Sequence, residues 1–212
     1  MYLKTLLKRT TFPLTGFIGL SLMLVTGTAT STQQEHDPHA HHKKMMKQPG
    51  YNSSVHSYTV PELYLIDTHN NKISLTKALD DEGPVILNFI FTTCTTICPV
   101  LSATFSQVQR ELGSEAENVR MISVTIDPEQ DTVERLKEYA GRYKAGADWQ
   151  FLTGSVDDII ATQKAFDAYR GDKMNHIPLT FLHSTSGGPW VSLEGFTSAA
   201  EVVDAYRQHL KQ

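Results

Sequence analysis

Cysteine is scarce in this sequence, since only Cys94 and Cys98 occur among the 212 residues. Small exported domains that cannot build a sufficient core are usually held by several disulfides. Two cysteines exclude that class and leave a fold that its apolar core must stabilise. Basic residues are also few, because 19 Lys and Arg stand against 23 Asp and Glu. This balance argues against a nucleic-acid partner, and the chain shows no internal repeat and no second globular domain.

The N-terminal segment, residues 1–29, has the pattern of an export signal. Basic residues precede an apolar run at residues 12–25, and small residues follow that run. The run is short for a membrane span, which favours cleavage after residue 29. A signal anchor that is not cleaved is the alternative, because Lys8 and Arg9 could reach the membrane surface. In either case we expect an exported protein that contacts the membrane only through this segment.

Residues 30–57 predict a disordered linker, because they lack apolar periodicity. Imidazole suits Cu(II) and thioether suits Cu(I), so this segment could hold a transition metal. It could equally be a polar tether whose histidines bind nothing. The residues concerned are His36, His39, His41, His42, Met45 and Met46.

From residue 58 to residue 212, short apolar runs alternate with segments of helical periodicity. The first two runs flank a turn at residues 67–71 and predict a β-hairpin. Residues 84–91 are β-branched and aromatic with little polar alternation, which indicates a buried central strand. The alternation of strands and helices predicts an α/β fold with a sheet rich in parallel strands. The order of elements is that of a thioredoxin-like domain with an extra N-terminal β-hairpin.

Capping boxes mark the start of two predicted helices. Asp131 and Glu134 have the required spacing, and so do Ser198 and Glu201. We therefore expect Asp131 and Ser198 to accept hydrogen bonds from the first amides of their helices.

Both cysteines lie between the predicted central strand and a helix. Pro99 suits the first helical turn, so Cys98 is expected at a helix N-terminus. The helix dipole and the free amides there stabilise a thiolate, which is the form that binds metal or attacks a disulfide. Because three residues separate Cys94 from Cys98, the two sulfurs can form a disulfide or share one metal ion. A purely structural disulfide would close too short a loop to contribute much to stability, which favours a functional role.

Polar residues near the ends of two strands are further candidates. His176 precedes the predicted late strand, where an isolated histidine is more often a hydrogen-bonded structural residue than a ligand. His183 lies further along this strand and is expected at its rim. Asp127 follows the strand at residues 119–126 and is expected to cap an Asp-Pro turn near the cysteines.

From about Tyr58 to its C-terminus, the sequence resembles the Sco/SenC family. Three segments carry the resemblance and occur in the family's order: residues 91–99 (FTTCTTICP), 123–132 (SVTIDPEQDT) and 151–154 (FLTG). An ordered set of motifs is more specific than one short motif. Many relatives have Pro-Asp where this chain has Thr95 and Thr96.

The resemblance implies a thioredoxin fold and one copper ion bound through two cysteines and a histidine, which match Cys94, Cys98 and His176. It implies a copper chaperone and not an enzyme, acting in the bacterial periplasm or at the outer face of the inner membrane. The implied task is assembly of the copper A centre of cytochrome c oxidase. The partner is then the oxidase subunit that carries this centre or another envelope cuproprotein, with other copper chaperones as further partners. Such a soft site suits Cu(I) and can hold Cu(II), although Zn(II) would accept the same ligands.

The alternative function is enzymatic, namely a thiol-disulfide oxidoreductase in which Cys94 and Cys98 reduce the cysteines of an acceptor protein. Its potential would be set by the stability of the Cys98 thiolate. His176 separates the two hypotheses, because dithiol exchange does not require a histidine and copper retention does. A peroxidase is disfavoured: Thr95 and Cys98 have the Thr-x-x-Cys spacing, but Phe91 stands where that motif has proline.

Overall fold

A computed structural model describes residues 50–81, 83–184 and 187–209. The predicted export signal and the six candidate metal donors of the linker lie outside the described residues. None of the helices within these ranges is long and apolar enough to span a membrane.

The described part of the chain contains eight strands and four α-helices. The strands are β1 (Tyr51–His56), β2 (Tyr64–Asp67), β3 (Lys72–Ser74), β4 (Val85–Ile90), β5 (Arg120–Thr125), β6 (Trp149–Thr153), β7 (Leu179–His183) and β8 (Trp190–Gly195). The α-helices are α1 (Ile97–Leu112), α2 (Val133–Arg142), α3 (Val156–Ala165) and α4 (Ala199–His209). Short turns of other helix types occur at Lys77–Asp81, Gly113–Asn118 and Lys173–Asn175.

All eight strands form one sheet, in the order β1-β8-β7-β4-β5-β6-β2-β3. β4 is parallel to β5, and β5 is parallel to β6. All six residues of β4 are buried, which confirms the predicted central strand. Successive side chains of a strand point to opposite faces, so Ile86 and Ile90 belong to one core cluster and Leu87 and Phe89 to the other. The carboxyl ends of β4 and β5 meet at one edge, where Ile90 lies opposite Thr125.

The predicted N-terminal hairpin is confirmed as β2 and β3, and β2 joins the sheet beside β6. At the opposite edge, β1 pairs with β8 from Tyr51 opposite Gly195 to His56 opposite Trp190. The predicted linker extends to residue 57, and this boundary is wrong because Tyr51–His56 form a strand of the sheet. Four of the six residues of β1 are exposed, and an edge strand held by backbone hydrogen bonds needs no apolar pattern.

Of the two predicted capping boxes, the one at α4 is confirmed. Ser198 Oγ accepts from the Glu201 amide at 3.3 Å, and Glu201 Oε2 accepts from the Ser198 amide at 2.7 Å. The box at α2 is wrong, because Thr132 caps that helix and its Oγ1 accepts from the Arg135 amide at 3.3 Å. Asp131 is instead fully buried and is bonded to another part of the chain.

His183 is not a rim residue, since it is fully buried within β7. Its Nε2 lies 2.9 Å from Oδ1 of Asp80, and its ring stacks on Trp190 at a centroid distance of 4.3 Å. The same Asp80 oxygen accepts a hydrogen bond from the Gly187 amide at 3.0 Å. β7 lies in the interior of the sheet with both faces covered, so the position of a residue along the strand does not predict its exposure. His183 therefore has a structural role.

Candidate functional site

The cysteine loop joins the carboxyl end of β4 to the start of α1. Cys94 lies in a turn in which its amide donates to the Phe91 carbonyl at 3.2 Å. Cys98 is the second residue of α1, which confirms its predicted place at a helix N-terminus. The amide of Cys98 donates to Sγ of Cys94, with a nitrogen–sulfur distance of 3.4 Å. The start of the helix therefore stabilises the sulfur of Cys94.

The two thiols have different environments. Burial alone would raise the pKa of Cys94, but hydrogen bonds from the backbone of Cys98 and Thr96 outweigh it and lower that pKa. Cys98 is fully buried, and burial raises its pKa well above the ordinary value. The Phe91 amide donates to Sγ of Cys98 at 3.5 Å and offsets this effect only in part. The expectation that Cys98 forms the stabilised thiolate is wrong, because its side chain enters the core while its amide points at Cys94.

His176 follows the turn Lys173–Asn175 and precedes β7. The residue is 93% buried, its ring interacts with the backbone of Phe89, and its Nε2 has no hydrogen-bond partner among the described residues. Burial and, to a smaller extent, the charge of Arg170 lower the pKa of His176, the backbone of Phe89 opposes both, and the resulting pKa is about 4. The ring is therefore neutral at pH 7 and presents an unpartnered nitrogen.

Cys94 and His176 line the same cavity, which has a volume of about 140 Å³. Phe91 also forms part of its wall, with its ring edge-on to the imidazole at a centroid distance of 6.3 Å. Cys98 lies outside the wall of this cavity. Within residues 50–81, 83–184 and 187–209, no three His, Cys, Asp or Glu side chains are grouped closely enough to hold one metal ion. The three predicted ligands thus supply suitable donor atoms, but a shared ion would require the Cys98 side chain or the loop to move.

Asp131 anchors the start of the cysteine loop. One of its oxygens accepts from the hydroxyl of Thr92 at 2.5 Å, the other accepts from the hydroxyl of Thr125 at 2.5 Å, and the Thr92 amide donates to both. This role of Asp131 was not predicted from the sequence, because the capping-box spacing offered a local explanation. A usable signal was present, since the turn after β5 must lie beside the loop after β4 when the two strands are parallel neighbours.

Asp127 and Lys173 join two turns beside the cavity. Nζ of Lys173 lies 2.5 Å from Oδ2 of Asp127, and this hydrogen bond raises the pKa of Lys173. The carbonyl of Asp127 accepts from the Gln130 and Asp131 amides, so Asp127 belongs to the predicted Asp-Pro turn. Its side chain, however, holds the turn that carries His176 and does not cap its own turn.

A larger cavity of about 530 Å³ also has His176 and Lys173 in its wall. Asp127 and Arg170 contribute charge to this wall, and Ile159 from α3 contributes apolar surface. His176 thus borders two cavities, of which only the smaller one also contains Cys94.

Comparison with known proteins points to one family. The model of the SCO1/SenC family matches residues 51–211. The chain is 44% identical to the SCO1 protein homolog of Bacillus subtilis (strain 168) over 70 residues, which are 32% of this chain and only 36% of that relative.

Solved structures agree with this match. The chain is similar to BsSco, a member of the Sco family of cytochrome c oxidase assembly proteins in which a disulfide switch was identified, with 26% identity and a TM-score of 0.62 over 73% of this chain and 95% of that one. It is similar in fold to Bradyrhizobium japonicum ScoI with copper bound, with 23% identity and a TM-score of 0.60 over 71% of this chain and 99% of that one. These similarities confirm the predicted thioredoxin-like α/β fold.

Proposed function

The chain belongs to the SCO1/SenC family, and on that premise we propose that it is a copper chaperone that binds one copper ion through Cys94, Cys98 and His176. Proteins of this family bind copper and are associated with cytochrome c oxidase assembly. The proposed task of this chain is to deliver copper to the copper A site of the oxidase, or to prepare that site.

The observation that carries this proposal is the unpartnered Nε2 of His176, a residue that lines the same cavity as Cys94. A buried structural histidine usually has partners for both ring nitrogens, because an unpaired buried polar atom costs free energy. Here the ring interacts with the backbone of Phe89 and Nε2 is left free, as in a histidine that ligates metal. The lowered pKa of Cys94 supports the same reading, since a metal ion binds the thiolate.

The donor set also favours release of the ion. Two sulfurs and one nitrogen suit Cu(I) and leave a coordination position open to an incoming ligand. Cys98 is buried and keeps its proton in the absence of metal, so binding must expose and deprotonate it. This requirement lowers the affinity at neutral pH, as is useful in a protein that passes its cargo on.

The proposed site of action is the bacterial periplasm or the outer face of the inner membrane. The export pattern of residues 1–29 supports it, either as a cleaved signal or as an anchor. The proposed partners are the oxidase subunit with the copper A site or another envelope cuproprotein, and a second copper chaperone as the source of the ion. The histidines and methionines of the linker are proposed as auxiliary copper donors.

Copper stoichiometry tests the binding site. The full chain is compared with Cys94→Ser/Cys98→Ser after anaerobic reduction and addition of Cu(I), with the four linker histidines replaced by Asn and the two linker methionines by Leu in both proteins. One copper per parent chain is expected, and none in the double variant. A parent chain that binds no copper would contradict the proposal. Delivery is tested separately, by measuring the copper content of a soluble copper A domain after it is mixed with the loaded protein and separated from it.

The second candidate function is thiol-disulfide exchange. The asymmetry of the two thiols favours it, because an accessible Cys94 of lowered pKa could attack an acceptor disulfide and the buried Cys98 could resolve the mixed disulfide. Reduction of a disulfide-bonded copper A domain by the metal-free protein, unaffected by His176→Ala, would support this function over the first.

A further inference from the structure

Met174 has the most exposed large apolar side chain in the described part of the chain, with 75% of its surface accessible. It lies in the turn Lys173–Asn175, where Oδ1 of Asp172 accepts from the Met174 amide at 2.8 Å. The backbone is therefore held, while the side chain belongs to neither core cluster. Met121, the other methionine within the described ranges, is buried in the core.

Met174 lines the 140 Å³ cavity together with Cys94 and His176. A thioether is neutral and polarisable, and it suits Cu(I) better than Zn(II). An apolar side chain that packs against no core contributes little to stability at this place. The sulfur of Met174, and not the packing of its side chain, is therefore the property that matters at this cavity.

The four donors differ in their access to solvent. Cys98 is fully buried, and His176 is 7% exposed. Cys94 is partly exposed, and Met174 projects into solvent. A copper ion that approaches the cavity from a donor molecule would thus meet the sulfurs of Met174 and Cys94 before it could reach the two buried ligands.

We propose that Met174 is the entry ligand for Cu(I), a role that rests on the proposed copper chaperone and gives it a loading step. A bond from Sδ of Met174 to Cu(I) forms as one soft ligand of the donor complex leaves, and a bond from Sγ of Cys94 forms as a second donor ligand leaves. The bond to Met174 breaks when Nε2 of His176 takes its place, Sγ of Cys98 displaces what remains of the donor complex, and the thiol protons pass to water. Copper remains Cu(I) throughout, so the exchange needs no oxidant or reductant.

The rate of copper uptake tests this role. The full chain, with its linker histidines and methionines replaced as above, is mixed with the coloured Cu(I) complex of bicinchoninate in a stopped-flow instrument, and loss of the complex is followed. Met174→Leu keeps the size of the side chain and removes the ligand, and we expect uptake to become about tenfold slower. The copper stoichiometry and affinity are expected to stay the same. Met174→Cys, which restores a soft donor, is expected to recover most of the rate.

Met121→Leu is the matched control, because it makes the same change away from the cavity, and it should leave the rate unchanged. Equal uptake rates in the parent and Met174→Leu would overturn the entry role and leave the proposed function standing. A lower stoichiometry or affinity in Met174→Leu would also overturn it, because Met174 would then be a resident ligand. A parent chain that takes up no copper would refute the proposed function itself.

Discussion

The amide of Cys98 donates a hydrogen bond to Sγ of Cys94 across 3.4 Å. The two cysteines are therefore coupled through the backbone of one and the sulfur of the other. The helix start, which carries Cys98, stabilises the charge on Cys94, while Cys98 itself is buried as a thiol. This division gives the pair one reactive and one protected sulfur in the metal-free protein.

Alkylation with iodoacetamide should therefore distinguish the two thiols. We expect Cys94 to react at a lower pH than an ordinary cysteine, because its pKa is lowered, and we expect Cys98 to resist modification in the folded protein. The measurement is the extent of modification of each residue by mass spectrometry across a pH series. Cys98→Ser is an informative variant, since it keeps the donating amide and should leave Cys94 reactive. Faster modification of Cys98 than of Cys94 would contradict the assignment.

His176→Ala should weaken copper retention by more than about tenfold. Loss of a residue that only hydrogen-bonds to a metal ligand already lowers metal affinity by about 10–100-fold, so loss of the ligand itself should cost at least as much. Air oxidation to a disulfide should proceed as in the parent, since the histidine takes no part in it. Copper competition with a chelator and thiol titration measure the two properties. His69→Ala is the control, because His69 is an exposed histidine in the turn between β2 and β3. Unchanged copper retention would remove His176 from the site.

The neutral state of His176 should make stability depend on pH. The pKa of His176 is lowered from 6.5 to about 4 in the folded chain. Between these values the unfolded chain binds a proton that the folded chain does not, so the free energy of unfolding falls as pH drops from 6.5 towards 4. In His176→Gln, we expect the free energy of unfolding to fall by about 3 kcal/mol less than in the parent between pH 7 and pH 4. Urea unfolding of the parent and the variant at pH 7 and at pH 4 measures it, and parallel pH profiles would count against the buried neutral imidazole.

Asp131→Asn should destabilise the fold by about 2–4 kcal/mol, because it replaces a buried carboxylate that accepts bonds from Thr92 and Thr125. It should also release the cysteine loop, so that Cys98 becomes accessible to alkylation. Thr125→Val is the matched control, since it removes one bond to the carboxylate without touching the loop. Denaturant unfolding and alkylation kinetics give the two readouts. Stability loss with no change at Cys98 would show that the carboxylate supports β5 alone.

Prediction from sequence succeeded where local pattern and chain order suffice. The run of apolar residues in β4 predicted a central strand, and Pro99 placed the helix start correctly. His176 could be assigned to the neighbourhood of Cys94 only through the family resemblance, because spacing alone does not bring two distant residues together. The structure places both at one cavity.

The remaining errors arise from partners that are distant in sequence. Asp131 has capping-box spacing, yet its hydrogen bonds go to Thr92, 39 residues away, and the local cap is Thr132. His183 was assigned to a rim, but an aspartate 103 residues earlier supplies its partner. For the thiols, the direction of one amide decides which sulfur is stabilised, and that direction is a property of the folded backbone and not of residue type.

The bond between Asp131 and Thr92 has a mechanical consequence. Thr92 is tied to the turn after β5, and at Ile97 the chain enters α1, so both ends of the cysteine loop are clamped. Only the four residues 93–96 lie between the clamps. Any displacement of Cys94 must be absorbed by their torsion angles, because neither end can follow it. Rotation about the torsion angles of residues 93–96 can therefore move the sulfur of Cys94 between partners without displacing the sheet or the helix.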